Sequence, residues 1–135
     1  MTRVLQPPDW ARPKGYANGV AVRGRQIYVA GMIGWDGQGR FHSDDLVAQV
    51  RQALANVVAV LTEADAKPEH IVRMTWYLTD KREYLASARE IGAAYRDVIG
   101  SYTIAMTAVQ VVALMEDRAK VEIEVTAVVP RAPAC

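Results

Sequence analysis

Cysteine is almost absent from this chain: its 135 residues include only Cys135, at the last position. Disulfide frameworks need pairs of cysteines and structural zinc sites commonly use several, so both are excluded. A lone thiol at the end of a chain is expected to be incidental rather than nucleophilic. His42 stands beside Ser43, Asp44 and Asp45, but a helix N-terminus explains that cluster better than a metal ion does. We predict no metal site and no cofactor.

Long apolar runs are also missing. No segment approaches the roughly 18 consecutive apolar residues of a membrane-spanning helix. The first residues, MTRVLQPPDWARPKGYANG, lack the apolar core of a signal peptide. We therefore expect a cytoplasmic protein with no membrane partner.

Charge of one sign is not in excess. The 16 basic and 15 acidic residues leave a net charge of +1, and they are mixed along the chain without a Lys/Arg run. Nucleic-acid binding needs a basic surface, so no nucleic-acid partner is predicted. With 51% hydrophobic residues, the composition is that of one globular domain covering residues 1–135.

The hydrophobic pattern predicts an α+β fold with about six strands in a mixed sheet and two helices on one face. Period-two alternation and β-branched residues indicate strands, and apolar residues three or four apart indicate helices. Ser43 is the expected cap of the first helix, and Asp80 or Thr79 that of the second. The predicted order is strands at 19–24 and 25–35 around a turn at 23–25, a helix ending near 65, a strand at 71–79, a helix ending near 100, and strands at 105–114 and 120–129.

The last predicted strand, KVEIEVTAVV, raises a question of chemistry. Val121, Ile123 and Val125 alternate with Glu122 and Glu124, so two carboxylates share one face about 7 Å apart. They either face water or pair with cations, or one of them takes part in chemistry.

The strand before it, AMTAVQVVAL, is apolar on both faces. Such a strand favours burial on both sides, and two helices cannot cover both faces of the sheet. The chain has no further element to supply the second cover. This pattern predicts an obligate oligomer in which the second face meets another subunit.

Four segments together resemble the RidA/YjgF family, also known as L-PSP endoribonuclease-like or translation-inhibitor-like proteins. They are GYANGVAVRGRQIYVAG, QVRQALANVVAVLTEADAKPEHIVRMTWYLTD, YLASAREIGAAY and VEIEVTAVV, and the resemblance runs from about Gly15 to Val129. It implies a chorismate-mutase-like fold and a homotrimer. In such a trimer three sheets form a central barrel, and small molecules bind in clefts between subunits.

The resemblance also implies a site. The deaminating members hydrolyse enamines and imines such as 2-aminoacrylate, and the first Glu of their EIE pair positions a water in the cleft. That residue is Glu122, the candidate catalytic residue. Tyr16 is likewise kept, and Gly31 and Met32 fall where the family lines its cleft.

The sequence departs from the family where an Arg of a PARS-like motif grips the substrate carboxylate. Met106 stands in that slot, or Thr107 if the register slides by one residue; neither is a cation. Other polar positions of the family read Ala30, Ala88 and Ala108. The cleft is therefore expected to suit a neutral or more apolar ligand than a simple 2-imino acid. Arg73 and Arg89 remain alternative replacements for the missing Arg.

Three functions stay open at this point. The first is hydrolysis or deamination of an imine- or enamine-like compound other than a simple 2-imino acid. The second is a non-catalytic trimer that binds a small apolar ligand. Ribonuclease action is disfavoured by the balanced charge and by the lack of a His-based acid and base.

Overall fold

The computed structural model describes residues 2–131. Cys135, expected to be incidental, lies outside the described residues. Within them the chain forms six strands and three α-helices. The strands are β1 (Arg3–Leu5), β2 (Gly19–Ala21), β3 (Gly24–Ile33), β4 (Ile71–Leu78), β5 (Ala105–Gln110) and β6 (Val121–Pro130), and the helices are α1 (Leu46–Glu63), α2 (Lys81–Ala86) and α3 (Ala88–Val98).

The helices and strands confirm the α+β class, but the six strands are divided between two sheets instead of forming one mixed sheet of about six. Four strands form a mixed sheet in the order β3-β6-β4-β5, in which β6 runs antiparallel to β3 and β4, and β4 runs parallel to β5. Strand β2 pairs with β1 instead, with Val4 opposite Val20. The predicted turn at 23–25 therefore does not fold β2 back onto β3. The alternation of side chains identifies β2 as a strand, but it does not reveal its partner, which contains the apolar pair Val4 and Leu5 near the N-terminus.

The cap of helix α1 lies two residues later in the chain than predicted. Its N-cap is Asp45, whose carboxylate accepts a hydrogen bond from the Ala48 N–H at 2.9 Å. Ser43 accepts from the Asp45 N–H at 2.9 Å and so shapes the turn before the cap. The expectation that Ser43 caps the helix was wrong, because Asp45 has the geometry that reaches the first free N–H groups.

The second helical segment is interrupted. Asp80 caps α2 by accepting from the N–H groups of Arg82 and Glu83, as predicted, but the helix stops at Ala86. Helix α3 then starts at Ala88, after Ser87. Its Ile91 and Ala94 are buried, whereas α2 has no buried residue. The break lets α3 pack beside α1, while α2 contributes only the partly buried Tyr84 to the core.

All the helices that pack on the sheet lie on one face, where the core is. Val121, Ile123 and Val125 of β6 are at most 2% exposed and pack against α1 residues such as Leu54 and Val57. The predicted two-faced pattern of β6 is thus confirmed. Glu122, Glu124 and Thr126 lie on the opposite face, which no helix of the described residues covers. We call this surface the open face.

Strand β5 is an edge strand and is shorter than the predicted 105–114. It ends at Gln110, because its parallel partner β4 ends at Leu78 and its last backbone bond is from the Val111 N–H to the Leu78 carbonyl at 2.8 Å. The residues that follow are strongly exposed, with Val112 at 105% and Met115 at 93%. None of the described helices has the length and apolarity that crossing a membrane requires.

Candidate functional site

Glu122 is the second residue of β6 and lies on the open face. In the sheet it stands between Ile33 of β3 and Tyr77 of β4, and its side chain is half-buried. It alternates with Val121 and Ile123, whose burial in the core fixes its direction. The strand therefore presents this carboxylate to the open face by the same periodicity that builds the core.

Gly31 makes room for the Glu122 carboxylate. Strand β3 has an irregularity between Val29 and Met32, where the pairing with β6 shifts register. A Cβ at position 31 would lie 2.6 Å from Glu122 Oε2 and 2.9 Å from its Cγ. These distances are shorter than van der Waals contact, so the carboxylate rests directly on the glycine. Bulges of this kind often re-aim a neighbouring side chain.

Met32, the other candidate on β3, has a different environment. It pairs with Ile123 and its side chain is partly buried against the core. What it can offer to the open face is its backbone, next to Gly31. The structure thus brings Gly31 and Met32 beside Glu122 and places the carboxylate against Gly31.

Tyr16 lies beside the start of β5, on a loop that is bound to that strand. The next residue, Ala17, donates its N–H to the Ile104 carbonyl at 2.8 Å and forms a parallel bridge with Ala105. The Tyr16 ring is 43% exposed. It therefore stands at the surface within a few residues of Met106 and Thr107.

The two candidates for the arginine slot face opposite ways. Met106 pairs with the buried Met74 and packs against the core. Thr107 is exposed and pairs with Thr75, on the face of β4 opposite to Met74. Of the two positions, only Thr107 shares the open face with Glu122.

Within one chain these candidates form two separate groups. Glu122 with Gly31 lies at the β3–β6 junction, whereas Thr107 and Tyr16 lie at β5, and β4 runs between them. Two strand spacings and a two-residue offset along the strands separate the Cα atoms of Glu122 and Thr107 by about 12 Å. The Glu122 carboxylate is also turned toward Gly31 on β3, away from β5, so the two groups do not face each other within one subunit.

A groove of about 290 Å³ lies on the open face around Glu124, and Glu122 is not among the residues that line it. Its polar side chains are those of Tyr28, Arg73, Thr75, Glu124 and Thr126. Reasoning from the sequence overlooked most of these residues. The signal that reveals them is the alternation on β4, where Arg73, Thr75 and Tyr77 alternate with the buried Met74 and Trp76.

Glu124 is held by a tyrosine next to this groove. The Tyr77 hydroxyl donates a hydrogen bond to Glu124 Oε1 at 2.7 Å. This bond, with a smaller effect of partial burial and of the Glu124 and Glu122 charges, raises the pKa of Tyr77 above its usual value. Tyr77 therefore remains a neutral donor, and Glu124 keeps one oxygen engaged.

The two candidate replacement cations lie on different layers. Arg73 is exposed on the open face and lines the groove with Glu124. Arg89 is exposed on α3, in the helical layer behind the sheet. Within one chain, only Arg73 shares a face with Glu122.

His42 belongs to a turn rather than to this site. Its Nε2 lies 2.7 Å from Asp36 Oδ2. Hydrogen bonds from the Arg40 backbone, from His42 and from the Gln38 backbone lower the pKa of Asp36 below its usual value. The cluster closes the loop between β3 and α1.

Comparison with known proteins gives one consistent answer. A sequence model of the family Endoribonuclease L-PSP matches residues 10–129. A RutC family protein of Aquifex aeolicus is 32% identical over 128 residues, which cover 93% of this chain and 98% of that protein. A goat protein named 2-iminobutanoate/2-iminopropanoate deaminase is 32% identical over 114 residues, covering 84% of this chain and 79% of its own.

A solved structure agrees with these sequence matches. The crystal structure of YyfB from Yersinia pestis, a member of the conserved Rid protein family, superimposes with a TM-score of 0.80 at 32% identity and covers 95% of this chain and 98% of YyfB. The chain therefore belongs to the Endoribonuclease L-PSP family, the RidA/YjgF family that its sequence resembles.

Proposed function

We propose that three copies of this chain assemble and that the clefts between them bind a small imine- or enamine-like molecule, which is hydrolysed by a water held at Glu122. The observation that carries the proposal is the position of Glu122. Its carboxylate is half-buried on the open face and seated against Gly31, in a strand whose other face is fixed in the core.

The exposed surface supports the assembly. Edge strand β5 and the loop after it present Val109 at 41%, Val112 at 105% and Met115 at 93% exposure. Apolar side chains and a strand edge that, among the described residues, is bridged only at Ala105 favour a protein–protein contact. The open face adds a sheet surface that no helix of the described chain covers.

The separation of the two groups of candidates supports clefts between subunits. Within one chain, Glu122 lies against Gly31 at the β3–β6 junction, whereas Thr107 and Tyr16 lie at β5 on the other side of β4. If the β5 edge of one copy lies against the β3–β6 junction of the next, the groups complete each other. Each cleft would then take Glu122 from one subunit and Thr107 from its neighbour.

The chemistry needs few groups. An imine carbon is already electrophilic, so hydrolysis requires a placed water, a proton acceptor and a proton for the nitrogen. Glu122 would accept a proton as the water oxygen adds to the carbon. Glu122 would then pass this proton to the nitrogen, and the new hydroxyl group would give up its own proton to the nitrogen as the C–N bond breaks, so that a carbonyl compound and ammonia leave.

Thr107 sets the proposed substrate class. At this position the deaminating relatives are expected to carry the Arg that grips a carboxylate next to the imine. A hydrogen bond to a charged group contributes about 1.5–3 kcal/mol, and a threonine hydroxyl provides less. We therefore propose a substrate that is neutral, or more apolar than a 2-imino acid, near its reacting carbon.

The direct test is Glu122→Gln, assayed on 2-iminopropanoate and on an uncharged imine, each generated in situ by an oxidase while ammonia release is followed. The variant is expected to lose turnover by at least about a hundredfold, because it cannot accept the proton. Glu63→Gln, an exposed carboxylate at the end of α1, is the matched control and should keep the wild-type rate. Equal rates in Glu122→Gln and wild type would rule out the proposed hydrolysis.

A second function, binding without catalysis, is favoured by one specific observation. The Met106 side chain packs against the core, and Thr107 lies on the open face. Neither candidate for the arginine slot therefore offers a cation to the proposed cleft. If wild type and Glu122→Gln both fail to release ammonia but an apolar amide or ketone raises the melting temperature of both, the protein is a binder and not a hydrolase.

Thr107→Arg tests the substrate class separately. The new guanidinium is expected to raise kcat/KM for 2-iminopropanoate by about ten- to a hundredfold, because it restores a charged contact with the carboxylate. Met106→Arg, one residue earlier, should instead destabilise the fold, since its side chain lies against the core. A gain of activity from Met106→Arg and none from Thr107→Arg would place the slot at the other residue.

A further inference from the structure

Among residues 2–131, Arg73 has no carboxylate partner. It lies on the open face and lines the groove that also contains Glu124. The ion pairs within residues 2–131 join His42 to Asp36, Arg51 to Asp97, His70 to Glu69, Arg118 to Asp44 and Lys120 to Glu83. Arg73 takes part in none of them.

Glu124 is the complementary carboxylate. It is exposed, and its only side-chain hydrogen bond among the described residues is the one from the Tyr77 hydroxyl to Oε1. Glu122, the other carboxylate of the open face, is half-buried and seated on Gly31. Glu124 is therefore the acid of this face that a neighbouring molecule can reach.

The arrangement of these charges fits a second copy of the same chain. Strand pairing places Arg73 opposite Thr126, and Glu124 opposite Thr75, so the two charges lie on adjacent strands two residues apart. A closed ring of identical subunits brings the same surface of each copy around one axis. Guanidinium and carboxylate groups placed side by side on that surface can then alternate from copy to copy.

We propose that Arg73 of each subunit pairs with Glu124 of its neighbour, so that the subunits are joined by a ring of alternating charges on their open faces. The inference rests on the proposed assembly and goes beyond it by naming the polar contact that holds it. Tyr77 orients Glu124, and the Thr75 and Thr126 hydroxyls lie in the same groove as the guanidinium. Charged pairs that become buried in an interface fix which surfaces meet and in what register.

The test uses Arg73→Glu and Glu124→Arg, alone, together in one chain, and as a mixture of the two single variants, with masses measured by native mass spectrometry. Each single variant is expected to weaken assembly by at least about thirtyfold in Kd, because like charges then meet in the interface. The double variant should assemble again. The matched controls are Arg82→Glu on α2 and Glu63→Arg on α1, both exposed in the helical layer, and both should assemble like wild type.

The mixture separates a contact between chains from one within a chain. If the pair joins subunits, the two single variants should form mixed oligomers in preference to oligomers of either variant alone. A pair within one chain would be repaired in the double variant but not in the mixture, and that result would overturn the inference.

Two other outcomes would also overturn it. If wild type is monomeric, both the charge ring and the proposed assembly fail. If wild type assembles and Arg73→Glu assembles equally well, the assembly stands and the charge ring is wrong. In that case, added free glycine is the probe for a ligand site. A rise in the melting temperature of wild type but not of Arg73→Glu would show that the groove binds a ligand instead.

Discussion

At the scale of single residues, the contact between Gly31 and Glu122 determines where the candidate catalytic carboxylate lies. Glu122 Oε2 lies against Gly31, and the irregular pairing of β3 with β6 brings the glycine to this position. The strand backbone directs the carboxylate to the open face, and the absence of a Cβ at Gly31 leaves the space that it occupies.

Gly31→Ala is expected to displace the carboxylate. The added methyl would lie 2.6 Å from Oε2, and the flexible glutamate side chain would move away. Displacements of about 1 Å at a reacting group cost about a hundredfold in rate, whereas the fold should be little affected. Turnover and urea unfolding of the same variant measure the two effects.

Gly37→Ala is the control for this substitution. A Cβ at position 37 meets nothing within 4 Å, so both turnover and stability should match wild type. Full activity in Gly31→Ala would show that the seat of the carboxylate does not matter for catalysis.

Tyr95 gives a second prediction at this scale, on stability at high pH. Its hydroxyl is buried without a hydrogen-bond partner in the described chain, and burial raises its pKa to about 12. Because the unfolded value is about 10, the unfolded state releases this proton first. The contribution to stability is complete below about pH 10 and is lost as the pH rises toward 12.

The variant Tyr95→Phe should lack this part of the pH dependence. Its free energy of unfolding near neutral pH is expected to equal or slightly exceed that of wild type, since it removes a buried hydroxyl without a partner. Urea unfolding at about pH 9 and about pH 11 is the measurement. A decline between these values that is as steep in Tyr95→Phe as in wild type would contradict the assignment.

At the scale of elements, buried Gln49 connects α1 to the loop that leads into β6. Its Nε2 donates to the carbonyls of Ser43 at 3.1 Å and Arg118 at 2.9 Å, and its Oε1 accepts from the Lys120 N–H at 2.8 Å. The residue is 1% exposed. Since Lys120 lies two positions before Glu122, this bracing fixes where the last strand begins.

Gln49→Met tests the bracing. The thioether fills a similar volume but leaves the Lys120 N–H and two carbonyls without their partner, so we expect a loss of about 2–4 kcal/mol in the free energy of unfolding. Gln52→Met, which removes only a bond to Asn56 on the same helix, should cost less than about 1 kcal/mol. Equal losses in the two variants would show that the loop does not depend on Gln49.

At the scale of elements, the sequence predicts the two faces of a strand better than it predicts which strands pair and where they end. The faces of β6 were predictable because alternation with a buried side leaves only one arrangement for Glu122. The partner of β2 and the end of β5 were not, since they depend on Val4 and on the length of β4, which are distant in sequence. The cap of α1 was missed because Ser43 and Asp45 both favour that role, and only the backbone course chooses Asp45.

The site shows the same division between local pattern and three-dimensional arrangement. The resemblance to the family pointed to Glu122, and the structure gives that residue its place on Gly31. The resemblance left open whether Met106 or Thr107 occupies the arginine slot, and strand pairing with β4 places Thr107 on the open face. The groove lined by Tyr28, Arg73 and Thr126 was not recognised, because its residues come from three strands that only the folded sheet brings together.

At the scale of the whole molecule, the proposal depends on a surface that a single chain leaves uncovered. The open face carries Glu122, Arg73 and Glu124, and the adjoining edge carries exposed Val109. Burial of this surface in an assembly would explain in one step the apolar β5 edge, the uncovered sheet and the separation of the candidate site residues.

The mass in solution tests this account most directly. Light scattering during size-exclusion chromatography, at micromolar concentration, should give three times the chain mass of 14.9 kDa. It should give a lower value for Arg73→Glu than for Arg82→Glu. A wild-type protein that elutes with a mass of 14.9 kDa would contradict the account, because neither the clefts nor the charge ring can form in one chain.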